Sequence, residues 1–152
     1  IVAVDVSRDG AMVVAVVGVE EHVLKSRRFQ RLISWVKHYR RIGSNKKHGY
    51  IERFPKRYAR VLEHLALSRI YLSAKDIGEE LRSEDIAVVL IDDKLVNAIE
   101  LPGHILVVTE SNIKYTYHKQ LMALADNLAN YFRILLKNNP EKFREELEKF
   151  KK

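Results

Sequence analysis

The chain has 152 residues, 47% hydrophobic and 31% charged, with a net charge of +7 and no cysteine. That is enough apolar chain for one domain with a sizeable core, and it excludes disulfides and thiolate metal sites. No apolar run approaches the roughly 18 residues of a membrane span, so no membrane partner is expected. Without cysteine or a basic leader, the cytoplasm is the expected compartment. The high charged fraction and the presence of only two glutamines suggest a thermophile.

The charge is segregated along the chain. Lys25–Arg60 holds thirteen Lys or Arg and one acid, Glu52, for +12, while the remainder carries fourteen basic and nineteen acidic residues, for −5. A basic stretch of this kind neutralises phosphates and releases their counterions, which makes nucleic acid the expected partner.

In chain order, Ile1–Val17 reads as two apolar strands around Ser7-Arg8-Asp9-Gly10, with Asp-Gly the dipeptide of a tight hairpin. Asp5 stands inside the first strand. A carboxylate there is costly to bury unless a protein cation or a metal ion partners it. After a turn at Gly18–Glu21, His22–Phe29 is expected to return as the third strand of an antiparallel meander. The period then changes, and Phe29, Leu32, Ile33, Val36 and Tyr39 predict a helix reaching Arg41. Gly43–Gly49 reads as a basic loop. Pro55 suits the first turn of a helix whose face carries Tyr58, Val61, Leu62, Leu65 and Leu72. Lys75–Arg82 is expected to be helical.

Ile86–Ile91 reads as a buried strand ending in Asp92-Asp93, and Ile105–Val108 as another, ending in Thr109–Asn112. A long helix is predicted from Tyr115 to Lys137, with Asp126 off its apolar stripe. Asn139-Pro140-Glu141 opens a final amphipathic helix over about 140–152. The three apolar strands predict a parallel trio with the meander strands on one edge, all within a single domain, 1–152. Parallel neighbours bring their carboxyl ends to one rim, where sites of open α/β sheets lie. Asp5, Asp92, Asp93 and Glu110 would gather there.

VAVDVSRDG, VVLIDD and ALADNLAN, in that order, resemble the RNase H-like nuclease superfamily. The resemblance implies an α/β fold with a mixed sheet, a three-strand meander followed by two parallel strands, and flanking helices. It implies Asp5, Asp92, Asp93 and Asp126 as catalytic carboxylates, with Asp5, Asp92 and Asp126 as metal ligands. Ser7 stands where proofreading exonucleases of that group carry a Glu, so a fourth ligand is left open between Glu63 and Glu110. In size and charge the chain is also similar to small archaeal single-strand-specific exonucleases of that fold. The implied activity is divalent-metal-dependent hydrolysis of DNA, as a 3′–5′ exonuclease favouring single strands. A non-catalytic binding module or a resolvase-like endonuclease are the alternatives, and self-association stays open.

The chemistry fits such a constellation. Phosphodiester cleavage needs an activated water and charge neutralisation on the leaving oxygen, which two divalent ions about 3.5–4 Å apart supply. Mg²⁺ and Mn²⁺ prefer oxygen ligands. Each carboxylate also has a plainer role open to it: an internal salt bridge for Asp5, a loop or helix cap for Asp92-Asp93, a solvated face for Asp126. The six histidines show no paired ligand spacing. In the basic stretch, Arg40, Arg41, Lys46, Lys47, Arg53 and Lys56 form the densest cluster of expected phosphate contacts. Trp35 and Tyr50 stand among aromatics suited either to stacking on unpaired bases or to packing the core.

Overall fold

In the computed structural model, which describes residues 1–152, the first hairpin is β1 (Val2–Arg8) and β2 (Met12–Gly18), paired antiparallel with Asp5 opposite Ala15. Gly10 takes a φ of 79° in the turn, a conformation glycine enters without steric cost. The expected parallel trio is present: β4 (Val88–Ile91) pairs parallel with β1, and β5 (Leu106–Thr109) pairs parallel with β4. A third antiparallel strand, β3 (Leu67–Tyr71), lies on the far side of β2, giving a five-stranded mixed sheet ordered β3-β2-β1-β4-β5.

That third strand is not the segment expected. His22–Phe29 forms no strand; it falls within two short helices, α1 (Glu21–Leu24) and α2 (Arg27–Leu32). The Ser26 hydroxyl caps α2 by accepting from the Phe29 amide at 3.2 Å, and Lys25 reaches back one turn to Glu21 at 2.7 Å. The helix expected to reach Arg41 stops at Leu32, and a single 3₁₀ turn covers Tyr39–Arg41. Helix α3 (Lys47–Leu62) starts eight residues before Pro55, which lies inside it, so the last part of the expected basic loop is already helical. Leu65 and Leu72, placed on that helix by their spacing, lie beyond its end, on either side of β3. The whole stretch between β2 and β3 is thus a helical arm, and it contains all of the basic segment.

The remaining helices agree with expectation: α4 (Ile77–Arg82), the long α5 (Thr116–Asn138) and α6 (Pro140–Phe150). Asn139 caps α6, its side chain accepting from the Lys142 amide, with Pro140 in the first helical position. No helix is long and apolar enough to cross a membrane.

Alternation along the strands divides the core in two. Val2, Val4, Val14 and Val16 face α4 and the segment after β4, in a cluster with Ile77, Leu81, Leu95 and Ile99. Ala3, Val13, Ala15 and Val17 face the other way, into the larger cluster with Leu121, Leu124, Leu128 and Phe132 of α5 and Phe29, Phe54 and Tyr58 of the arm. Ala3 and Ala15 are small, so α5 can approach the middle of the sheet closely. Asp5 and Ser7 continue the same face of β1. The polar residues of that strand therefore point at α5.

Candidate metal centre

Asp5 is buried in the central strand, and its carboxylate accepts only from the next amide, Val6, at 2.9 Å. No lysine or arginine bridges it; the salt bridges of the chain lie elsewhere. What surrounds it is more negative charge. The Asp92 amide donates to the Val4 carbonyl at 3.0 Å, carrying the β4–β1 pairing one residue further and setting Asp92 next to Asp5. Glu110 follows β5 in a 3₁₀ turn. The ligand oxygens of Asp5, Asp92 and Glu110 all lie within 4.8 Å of one another.

A second group shares the same aspartate. Asp5, His38 and Asp126 also place one donor atom each within 4.8 Å of the others. Asp126 arrives from α5, where it is buried on the side facing β1. His38 arrives from the arm, just before the 3₁₀ turn. Its Nδ1 lies 3.5 Å from Asp126 Oδ2 and its Nε2 3.5 Å from Glu110 Oε2. Both nitrogens are buried, and neither has a hydrogen-bond partner.

The arm is fastened where it delivers His38. The Tyr39 amide donates to Asp126 Oδ2 at 2.8 Å. Asn127 on α5 donates to the Lys37 carbonyl at 2.7 Å, and the Tyr50 hydroxyl accepts the Lys37 amide at 3.0 Å while donating to Asn127 Oδ1. Both polar groups of the Lys37 backbone are therefore satisfied by side chains. On its other flank Asp126 accepts from Asn130 Nδ2 at 3.2 Å. Asn130 Oδ1 accepts from the Ser7 hydroxyl at 2.9 Å and from Arg133 at 3.2 Å, and Arg133 Nε donates to Ser7 Oγ at 2.6 Å. Ser7 thus belongs to the frame that holds Asp126, not to the donor groups.

Such crowding has an electrostatic cost. Burial pushes the Asp5 carboxyl well above the usual carboxylate range, and Asp92, Asp126 and Glu110 push it the same way. Burial also raises Asp126, opposed in part by the Tyr39 amide and by His38. An unpaired carboxylate cluster around two orphaned imidazole nitrogens is an arrangement that a divalent cation relieves, and the donors are of the kinds that bind one. The site residues fit a metal.

No protein-family model matches the chain, and no curated protein matches it in sequence.

Three of the expected ligands, Asp5, Asp92 and Asp126, come together. Asp93 does not join either group; it is exposed, and its Oδ1 accepts from the Ser111 amide at 3.3 Å, bracing the turn that carries Glu110. Of the two candidates for a fourth ligand, Glu110 is in place. Glu63 is exposed beyond α3, near the start of β3, which pairs with the end of β2 and so lies at the opposite end of the sheet. His38 had no signal in the sequence, since its partners are remote in the chain.

A groove of about 560 Å³ opens beside the cluster, between the arm and α5, with Glu110, His38, Arg40, Arg41 and Lys119 among its lining. Of the expected phosphate contacts, Arg40 and Arg41 line it. Lys46, Arg53 and Lys56 are exposed outside it, and Lys47 lies over the Tyr39 ring at 4.7 Å. Tyr50 is buried in the clamp, and Trp35 packs on Tyr50 and Phe54 with its Nε1 donating to the Leu32 carbonyl. Both of these aromatics pack the interior of the arm.

Proposed function

We propose that this chain is a divalent-metal-dependent nuclease that hydrolyses phosphodiester bonds in DNA and favours single strands, acting as a 3′–5′ exonuclease. One observation carries the proposal: Asp5 is common to two three-donor groups, Asp5–Asp92–Glu110 and Asp5–His38–Asp126. A carboxylate shared between two adjacent cation positions is what a two-metal site requires. Two Mg²⁺ or Mn²⁺ ions bound there would supply activation of water and charge stabilisation at the leaving oxygen.

The chain itself does the rest. Asp5 sits on the central strand of the sheet, paired with Ala15 of β2 on one side and next to the Asp92–Val4 hydrogen bond that ends the β4 pairing on the other. Asp126 is held from two directions, by the Tyr39 amide and by Asn130. The excess negative charge is concentrated at one side of a groove whose walls carry Lys37, Arg40, Arg41 and Lys119. Walls of that sign attract a polyanion, and the carboxylates repel it unless cations intervene. Metal removal should therefore abolish cleavage and weaken binding without abolishing it.

The test uses a 5′-labelled single-stranded oligodeoxynucleotide incubated with Mg²⁺, with Mn²⁺ and with EDTA. Stepwise shortening from the 3′ end with either metal, abolished by EDTA and by Asp5→Asn, is the expected result. Internal cuts instead of a ladder would make the enzyme an endonuclease. A wild-type protein that cuts nothing with either metal overturns the enzymatic proposal and leaves a binding module.

A further inference from the structure

The groove beside the cluster has walls of different origin. One is the arm, which contributes Val36 and the cations Lys37, Arg40 and Arg41; another is the first half of α5, which contributes Lys119 and Met122; the turns after β4 and β5 close the side toward the cluster with Asp93, Glu110 and Ile113. Arg40, Arg41 and Lys119 are exposed along it, and none of the three is engaged in a salt bridge. Val36, Ile113 and Met122 are largely buried and form the apolar part of its lining. Free cations beside an apolar lining match the two halves of a nucleotide, phosphate and base. At about 560 Å³ the space is in the range that encloses a single drug-sized molecule.

Resting on the nuclease reading of the adjacent carboxylates, we infer that this groove is the seat of one unpaired DNA strand, entering the cluster past Lys119 and Arg41. The selection for single strands lies in this inter-element groove, whereas the exposed cations of α3, Arg53 and Lys56, lie outside it and act only as a diffuse field. The arm inserted between β2 and β3 then has two tasks. It brings His38 to the carboxylates and forms the wall that admits one strand.

The experiment measures binding of a fluorescein-labelled oligothymidylate, and of a duplex of the same length, by anisotropy in EDTA over a range of salt. Wild type should bind the single strand at least tenfold more tightly than the duplex. Arg41→Glu and Lys119→Glu should each weaken single-strand binding about tenfold and flatten its salt dependence, by roughly 0.7 in log–log slope for each phosphate left without its cation. Lys56→Glu should change affinity less than threefold. Thermal melting checks that the variants fold, as these exposed positions lead one to expect.

Groove variants that bind like wild type, a Lys56→Glu loss as large as that of Lys119→Glu, or a preference for duplex would each overturn the inference. The outcomes stay distinct from those of the nuclease test. Groove-dependent binding without cleavage in any metal keeps the strand seat and removes the enzyme. Metal-dependent cleavage with unaltered binding in the groove variants keeps the enzyme and removes the seat.

Discussion

The amide of Tyr39 donates to the carboxylate of Asp126 at 2.8 Å, joining the arm to α5 beside the groove they enclose. A main-chain donor from the arm thus holds the acid of α5 in place, and the neighbouring residue, His38, is presented to the same carboxylate. Position of the arm and position of the ligand are one variable.

Asp5→Asn separates a metal site from a structural ion pair. Cleavage in Mg²⁺ or Mn²⁺ should fall by orders of magnitude, while the metal-free protein should melt at a higher temperature than wild type. The amide keeps the shape and removes a buried charge that nothing in the chain neutralises. In a domain of this size each kcal/mol recovered appears as about 2–4 °C. Melting curves in EDTA measure it, and a lower Tm for the variant would show that Asp5 supports the fold.

The same charge gives stability a pH dependence of defined sign. Asp5 and Asp126 hold their protons more tightly folded than unfolded, where a carboxyl titrates near about 3.9. Over the interval between the unfolded and the raised folded values the native state binds more protons, so stability falls as pH rises through it. Wild type and Asp5→Asn should therefore differ most in EDTA at neutral pH and above, and converge as the pH drops toward the unfolded value. Saturating Mn²⁺ should shrink the neutral-pH gap. A gap that grows on acidification would reverse the assignment.

His38 should make the centre prefer manganese. An imidazole is a poorer ligand for Mg²⁺ than for ions further along the transition series, and only the Asp5–His38–Asp126 group contains one. His38→Ala should lower Mn²⁺ affinity by about tenfold or more, with a smaller effect on Mg²⁺. Calorimetric titration of both ions checks it, and equal losses for the two would remove His38 from the ligand set.

Tyr50→Phe tests the clamp. It deprives the Lys37 amide of its acceptor and Asn127 Oδ1 of its donor, which should cost about 1–3 kcal/mol if water does not replace the hydroxyl. Because the clamp delivers His38, Mn²⁺ affinity should fall as well. Urea denaturation read beside the metal titration divides the two effects. A stability loss with unchanged Mn²⁺ binding would make Tyr50 a packing residue only.

The parts of the site that were legible in sequence are those in which a carboxylate interrupts or ends an apolar run: Asp5 in VAVDV and Asp92 after VVLI. The meeting of these two, with Glu110, followed from parallel strands. Asp126 was marked only by the resemblance that ALADNLAN carries; its offset from the Leu121–Leu124–Leu128 stripe suggested a solvated face, whereas the structure buries it against β1. His38 was not legible, because its place depends on the Lys37 backbone being gripped by Tyr50 and Asn127, residues 13 and 90 positions away. The third strand was misplaced for a related reason. LSRIY is only five residues long with two of them buried, so its alternation is short enough to pass for the continuation of a helical face. The four-residue α1 is too short to display any period at all.

The donors of the two groups come from β1, the arm, and the ends of β4 and β5, and are completed by α5. None of these segments can form half of the centre by local folding alone. The β1–β2 hairpin can close early, since its strands are adjacent. The His38–Asp126 side can assemble only once α5 exists and has docked on the sheet. During synthesis, then, a chain released or stalled before α5 lacks a complete pair of cation positions. The paired cation positions would appear late and all at once, as a property of the folded domain and of no single segment of it.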